Sequence, residues 1–555
     1  MSLVESLPSW AKRYGPFAVL AALLVWHSLQ YNFVTDDAYI SFVFSHNFAE
    51  HGELVFSHGH PPVEGYTNFL WTFLLGLLMV VGLPPDIMSL VLGTGFGIGG
   101  MFLAFRLVSH LREEESGWDY LAPALLAMSS GYACWSSGGL ETQMFTFFVT
   151  ASLYSYARAD EEPRFYRWLG ACLALAAMTR PEGLLVAGVV GGHHLIANLV
   201  REKRIVPTRP ELEVFGVFLL IWGPWFAWRA WYYGHLFPNT YYVKAAGKAS
   251  KGYAEKMAAN GRYYVWQWLT QSKMLYGAPL AVVGFALAGL RSRRLYLGTV
   301  ALLLGGAYIV YTMRVGGDFM GLHRFVMPLF VIGALGVALG LARLVAFVPD
   351  AKIRLGVGLV ASAVLLGAFG VSQMRLTKRS TKFGNWKSDR GIDTPSYLAI
   401  YAHDRRLIGE RMKSCFREDD FSIFGGVGAK PFAAEAKGVD VFGLVSDVVA
   451  HQVPRTRPRA GHNKWGPDTL MYESYEPEFV FHCYSIHRDP AKPRINCCPR
   501  SDPSCERGNS FWQRKGYERV TMHIPGMKER GEYYTFFVRE DRAPSFKESC
   551  EGVIE

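Results

Sequence analysis

Charge is scarce in this chain. Asp, Glu, Lys and Arg supply 19% of its 555 residues, against 50% apolar residues, and mean hydropathy is +0.12. The apolar residues concentrate in the first two thirds of the chain, which indicates a polytopic membrane protein with a soluble end. The first apolar stretch, 15–34, lacks a small-residue cleavage site before the polar segment that follows it. It therefore reads as an uncleaved anchor rather than a signal peptide. Hydropathy shows no internal repeat, and no Gly/Pro-broken segments recur at matching positions in two halves, which weighs against a transporter built from repeats. A single basic face is missing too. The net charge of +10 and pI near 9.1 come from Lys and Arg spread over short loops, and this argues for membrane topology instead of nucleic-acid binding.

Apolar runs at 15–34, 86–107, 119–135, 141–157, 168–180, 182–198, 213–233, 275–290, 295–313, 322–347 and 355–374 predict about eleven spans. The run Asn68 to Gly82 is short for a crossing and ends at Pro84-Pro85. If it is re-entrant or interfacial, the connectors bearing Arg106/Arg112, Arg158/Arg164/Arg167, Arg201/Lys203/Arg204/Arg209, Arg291/Arg293/Arg294 and Lys352/Arg354 share the side of Lys12/Arg13. That arrangement obeys the positive-inside rule and puts Asp36-Asp37 and the C-terminal region outside. The external stretch 234–274 still carries Lys244, Lys248, Lys251, Lys256, Arg262 and Lys273. An anionic ligand would account for them.

Cysteine is also sparse, and six of the eight, Cys415, Cys483, Cys497, Cys498, Cys505 and Cys550, follow the last span. An even number in an external region reads as a disulfide framework. Zinc is the competing reading, but the usual paired two-residue spacers are missing. The expected division is a membrane-embedded helical part, 1–375, and an extracytoplasmic α/β part, 376–555. Within the latter, Phe421–Phe424, Val439–Phe442 and Tyr533–Val538 have strand composition and Ser396–Lys413 has helical periodicity. Gly425-Gly426-Val427-Gly428 and Gly461-His462-Asn463-Lys464 read as turns or ligand contacts.

Asp36 and Asp37 directly follow the first apolar run and open what reads as an amphipathic helix in the interface. Two acids there require a capping role, a wet cavity or a cationic partner. Further polar groups fall on the same external side: the turn-rich stretch from Val55 to Asn68, Glu141 after Ser137-Gly138-Gly139-Leu140, Arg180-Pro181-Glu182-Gly183, and Gly316-Gly317-Asp318 ahead of His323-Arg324. Each alone is explained by helix capping. Caps would be distributed over both faces, whereas an active site gathers its groups on one.

The ordered set Asp36-Asp37-Ala38-Tyr39, Val63-Glu64-Gly65-Tyr66-Thr67-Asn68, Ser137-Gly138-Gly139-Leu140-Glu141, Arg180-Pro181-Glu182-Gly183, Pro238-Asn239-Thr240-Tyr241-Tyr242-Val243-Lys244, Gly316-Gly317-Asp318 and Gly461-His462-Asn463-Lys464 resembles the membrane arabinofuranosyltransferases of the AftB type. The resemblance implies a GT-C glycosyltransferase of the bacterial inner membrane. Such an enzyme takes a sugar from a polyprenyl-phosphate donor and passes it, with inversion, to a cell-envelope polysaccharide or glycolipid. Asp36 and Asp37 then match the catalytic acids, with Asp36 assigned as general base and Asp37 as its partner and the reverse assignment left open. Lys244, Arg180 and Arg324, with Asn239 and Tyr241, meet the donor and its phosphate. Glu64, Tyr66, Asn68, Glu141, Glu182, Asp318, His323, His462 and Lys464 contact substrate. A divalent cation, Mg, Ca or Mn, held by Asp37, Asp318 or Glu141 is an alternative to the cationic side chains. A transporter or flippase of a lipid-linked sugar, or a non-catalytic sugar-binding protein, would use the same membrane architecture.

Overall fold

Long apolar runs can satisfy their backbone in lipid only as helices, and helices dominate the computed structural model. It describes residues 8–112, 115–159, 161–289, 295–384, 389–491, 495, 497 and 510–554. Cys498, Cys505, Arg291, Arg293 and Arg294 lie outside the described residues. Six described helices are long and apolar enough to cross a bilayer: Pro85–Arg112, Glu182–Val200, Arg209–Tyr233, Leu297–Val315, Arg324–Val345 and Ala351–Ser380. Other expected spans are shorter or interrupted. The run 119–135 breaks at Ser129, whose extended backbone ends the helix Leu121–Met128 and whose hydroxyl caps Ser130–Ser136. Met274–Gly289 and Arg164–Thr179 have 16 residues each, about 24 Å at 1.5 Å per residue. The short run after Asn68 forms the 12-residue helix Phe69–Val80, roughly 18 Å and well under a bilayer core.

The chain divides into two compact units that interleave in sequence. The first comprises 1–33, 89–228 and 258–395, and the second 34–88, 229–257 and 396–555. In the first unit, the helix Met327–Val345 is buried along almost its whole length. By contrast Ala351–Ser380 turns Ile353, Leu355 and Val364 outward, each at least 60% exposed. Apolar surface of that extent is stable only against lipid. The chain is an integral membrane protein.

Small residues set the close packing of that unit. A Cβ on Gly284 would collide with the Gly336 carbonyl, and one on Gly340 with the Leu280 carbonyl, so the helices Met274–Gly289 and Met327–Val345 meet backbone to backbone. Gly340→Val should therefore destabilise the protein by at least the ~1–3 kcal/mol of an overpacked core. Thermal unfolding in detergent checks this against Gly305→Val, where an added Cβ meets nothing within 4 Å and the melting temperature should barely move.

The second unit carries a six-stranded mixed sheet, β1 Phe421–Phe424, β2 Lys437–Asp440, β3 Phe479–His487, β4 Tyr517–His523, β5 Tyr533–Arg539 and β6 Val553–Ile554, in the order β2-β1-β3-β5-β4-β6. Strand β1 runs parallel to β2 and β3, pairing Ser422 with Gly438 and with Phe479. Parallel neighbours need a crossover, and the helix Ala429–Ala434 makes it between β1 and β2. This is the α/β region expected of the C-terminal part. Strand β2 starts and ends two residues earlier than its composition indicated, because Asp440 accepts the backbone N–H groups of Leu444 and Val445 at 3.1 and 2.8 Å and turns the chain. Disulfides join Cys415 to Cys550 and Cys483 to Cys497. The helix expected to open at Asp36 is present as Asp36–His51, but it is not half exposed: residues Ala38 to Ser45 are all buried. Ser45 Oγ donates to the Thr72 carbonyl at 2.7 Å, and Tyr39 and Phe42 pack on Phe432.

Candidate functional site

Asp36 occupies the first turn of the helix Asp36–His51, where the helix dipole favours an anion. Its side chain does not serve as a simple cap. Oδ1 accepts the backbone N–H of Ala429 at 2.8 Å, directly after the glycine run that leaves β1. Those glycines are spatially required: a Cβ on Gly428 would overlap the Asp36 backbone, and one on Gly426 would lie 3.3 Å from Asp36 Oδ2 and 2.9 Å from the Tyr401 hydroxyl. The Gly425–Gly428 run thus admits a carboxylate as well as making a turn. Burial pushes the Asp36 carboxyl above its ordinary range, while the Ala429 N–H, Arg405 and Lys430 pull it back. Asp37 follows on the same helix, partly exposed, about 100° further round.

Behind Asp36 lies a cationic and aromatic wall that the sequence reading missed. Arg405 is buried, donates to the Tyr484 hydroxyl at 2.9 Å and stacks 4.2 Å from the Tyr401 ring centroid. Lys430 is buried, donates to the Tyr534 hydroxyl at 2.8 Å and lies 4.5 Å from the Phe481 centroid. Burial and the neighbouring Arg405 hold the Lys430 ammonium well below its ordinary range, against the pull of Asp36. Arg405 sits inside a helix expected from periodicity and Lys430 two residues after the glycine run, and neither position alone signals a partner 369 or 394 residues away.

The second unit also assembles a basic cluster from two of the recognised motifs. Residues 244–250 and 455–464 are laced together by Arg455 N–H to the Lys248 carbonyl, 2.9 Å, and Arg455 Nη1 to the Lys244 carbonyl, 3.0 Å. Burial, with Arg459, Arg457 and Lys244 close by, lowers His462 to about 3. Burial and Arg455 lower Lys464 to about 8, and Lys464 Nζ donates to the Ala450 carbonyl at 2.6 Å. The three arginines were legible in principle, since Arg455, Arg457 and Arg459 alternate as they would on one side of an extended strand.

Other candidates are committed to protein partners. In the second unit, Glu64 is buried against Arg229, whose Nε reaches both carboxylate oxygens at 3.0 and 3.1 Å. Tyr66 shares a 2.9 Å hydrogen bond with Tyr233, and Asn68 donates to Ser41 at 3.0 Å. Asn239 donates to Asp447 Oδ1 at 2.8 Å, while Tyr241 is exposed beside Phe237. In the first unit, buried Arg180 bridges Glu141 at 2.8 Å and Glu182 at 3.2 Å and lies over Phe325. Arg324 Nε donates to Asp318 at 2.9 Å, and His323 Nε2 lies 3.0 Å from Gln271 Oε1. Asp318 and Glu141 each face a guanidinium rather than an open oxygen cage, an arrangement that does not fit a hard divalent cation.

The first unit contains an apolar cavity of about 410 Å³. Leu126, Leu280, Val337, Ala368 and Phe369 line it, and Lys273, Trp268, Tyr276 and three serines, Ser129, Ser272 and Ser372, bring polar groups to its wall.

No family model and no curated protein matches the chain. Solved structures do resemble it. ArnT from Cupriavidus metallidurans in the apo state superposes with a TM-score of 0.52 at 11% identity, over 95% of this chain and 98% of that one. The same protein bound to undecaprenyl phosphate gives 0.50 at 12%, over 76% and 85%. The apo oligosaccharyltransferase of Archaeoglobus fulgidus gives 0.52 at 9%, over 78% and 65%. At these identities the likeness speaks to architecture, and that architecture is the GT-C fold.

Proposed function

We propose that this chain is a glycosyltransferase that moves a sugar from a polyprenyl-phosphate donor to a hydroxyl of a cell-envelope glycan, at the outer face of a bacterial plasma membrane. The motif resemblance to the AftB type favours arabinofuranose as the sugar. The observation that carries the reading is Asp36: one oxygen is oriented by the Ala429 N–H, its carboxyl is raised towards working pH by burial, and nearby cations keep ionisation accessible. That is the environment of a general base. In the proposed step the acceptor hydroxyl gives its proton to Asp36 as its oxygen bonds to the anomeric carbon. The bond from that carbon to the phosphate oxygen breaks, and polyprenyl phosphate leaves with the electron pair. A single displacement inverts the anomeric centre and needs one base, whereas retention would need a nucleophile as well.

Two further features support a lipid-phosphate donor. The basic cluster around Lys244 and His462 suits an anion whose charge grows as the bond breaks, and the 410 Å³ apolar cavity has the chemistry of a polyprenyl chain. ArnT, of similar fold, has been solved with undecaprenyl phosphate. The test is transfer of labelled sugar from polyprenyl phosphate by detergent-purified protein. Label should enter the acceptor with inverted configuration. Failure with every donor, together with movement of the lipid across vesicles, would replace this reading with a flippase. Lys244→Ala should raise the donor KM or lower turnover by about 10-fold or more, the scale of a lost charge-assisted hydrogen bond. Exposed Lys256→Ala should change little, and equal effects would mean general surface charge.

A further inference from the structure

We infer that His235, Asp447 and His451 form a binding site for a zinc-class divalent metal ion. Asp447 and His451 stand four residues apart on the helix Asp447–Gln452, so both side chains lie on one face. His235 comes from the segment after the helix Arg209–Tyr233 and stacks on His451 with ring centroids 4.5 Å apart. One ligand atom from each of the three lies within 4.8 Å of the others. His235 Nε2 and Asp447 Oδ2 face each other at 3.9 Å, too far for a hydrogen bond. Donors around a tetrahedral zinc ion, with bonds of about 2.0–2.1 Å, stand roughly 3.3 Å apart, so a small closure would let one ion bridge them.

The surroundings are those of a metal ligand set. Asn239 holds Asp447 Oδ1 at 2.8 Å, which leaves Oδ2 turned towards His235, and such outer partners orient ligating carboxylates. Two imidazoles and one carboxylate match zinc and its neighbours better than magnesium or calcium. The His235 and Asp447 side chains are 39% and 41% exposed, so an ion can enter and solvent can complete its shell. The other described cluster of three, Asp468 with Cys483 and Cys497, is different, because its sulfurs are joined in a disulfide. A metal at His235 would clamp the segment carrying Asn239 and Lys244 to the helix Asp447–Gln452.

This inference does not rest on the transfer reading, because metal content is measured without sugar or lipid. Full-length protein carrying no polyhistidine tag would be stripped with chelator, loaded with zinc and gel-filtered, and its zinc counted by mass spectrometry. About one zinc per chain is expected. His235→Ala and His451→Ala should each abolish it, and Asn239→Ala should weaken zinc binding by about 10- to 100-fold. His58→Ala, which removes one ring of the separate His51–His58 stack, should leave it intact. Because His451 is exposed, its truncation tests the site without endangering the fold. Zinc absent from the wild type, retained in His451→Ala, or lost equally in His58→Ala overturns the proposal.

Discussion

Asp36→Asn should lower sugar transfer by roughly 10²- to 10⁴-fold, the range for loss of a general base, in a protein that still folds. The Asn side-chain oxygen can accept the Ala429 N–H as Asp36 Oδ1 does, and Asn fits the space left by Gly426 and Gly428. The charge matters in two ways. Catalysis needs the ionised form, so the wild-type rate should rise with pH through the folded pKa of Asp36, and burial places that acid limb above the ordinary value of 3.8. Stability runs in the opposite sense. A carboxyl whose folded pKa is raised takes up a proton more readily when folded, so its charged form weighs against the fold increasingly as pH rises from the unfolded to the folded pKa. Neutral Asn removes that burden, and thermal unfolding near neutral pH should show no loss attributable to it. Asp37→Asn should reduce transfer less, by about 10-fold, as befits a partner that tunes the base. Undiminished transfer by Asp36→Asn removes the catalytic assignment, and a collapse confined to Asp37→Asn exchanges the two roles.

The largest structural effect is expected at Arg229. Its guanidinium is 3% exposed and meets Glu64 at 6% exposure, and a further N–H reaches the Leu236 carbonyl at 2.7 Å. Removing one member of a buried pair strands the other, which destabilises by about 3–5 kcal/mol. Arg229→Ala should therefore melt well below wild type. Burial already pushes the Glu64 carboxyl upward and Arg229 pulls it down, so the lone acid would protonate. Glu64→Gln combined with Arg229→Met removes both charges and should recover much of the loss. A double variant no better than Arg229→Ala would mean that shape and the Leu236 contact, not charge, hold this junction. The pair also joins the backbone near Glu64 to the start of the helix Asn239–Lys244, since the Asn239 N–H donates to the Glu64 carbonyl at 3.1 Å.

What was legible from residues alone follows the range of the interaction. Strand β1 appeared from its composition without error, and the helix Pro395–Met412 differed by one residue at each end from its periodic signal. The sequence also singled out Asp36 and the Gly425–Gly428 run, one as an acid at a membrane boundary and the other as a turn or ligand contact. Nothing local connected them. Likewise Lys244 and His462 were each chosen from their motifs, whereas the alternating Arg455, Arg457 and Arg459, visible in the sequence, joined them in one cluster only when the segments 244–250 and 455–464 came together.

Apolar run length, charge scarcity and alternation of side chains are properties of neighbouring residues, and they sufficed for the polytopic helical class, the α/β C-terminal region and the short helix after Asn68. Partner choice was decided by tertiary structure. A carboxylate in sequence is only a charge, and whether it faces an amide, a guanidinium or an imidazole depends on chain segments tens to hundreds of residues away. Hence Glu64, Glu141 and Asp318 resolved into ion pairs and Asp36 into an oriented carboxylate, because burial makes a charge select the partner that compensates it, while half-exposed Asp447 met two histidines through the placement of its helix.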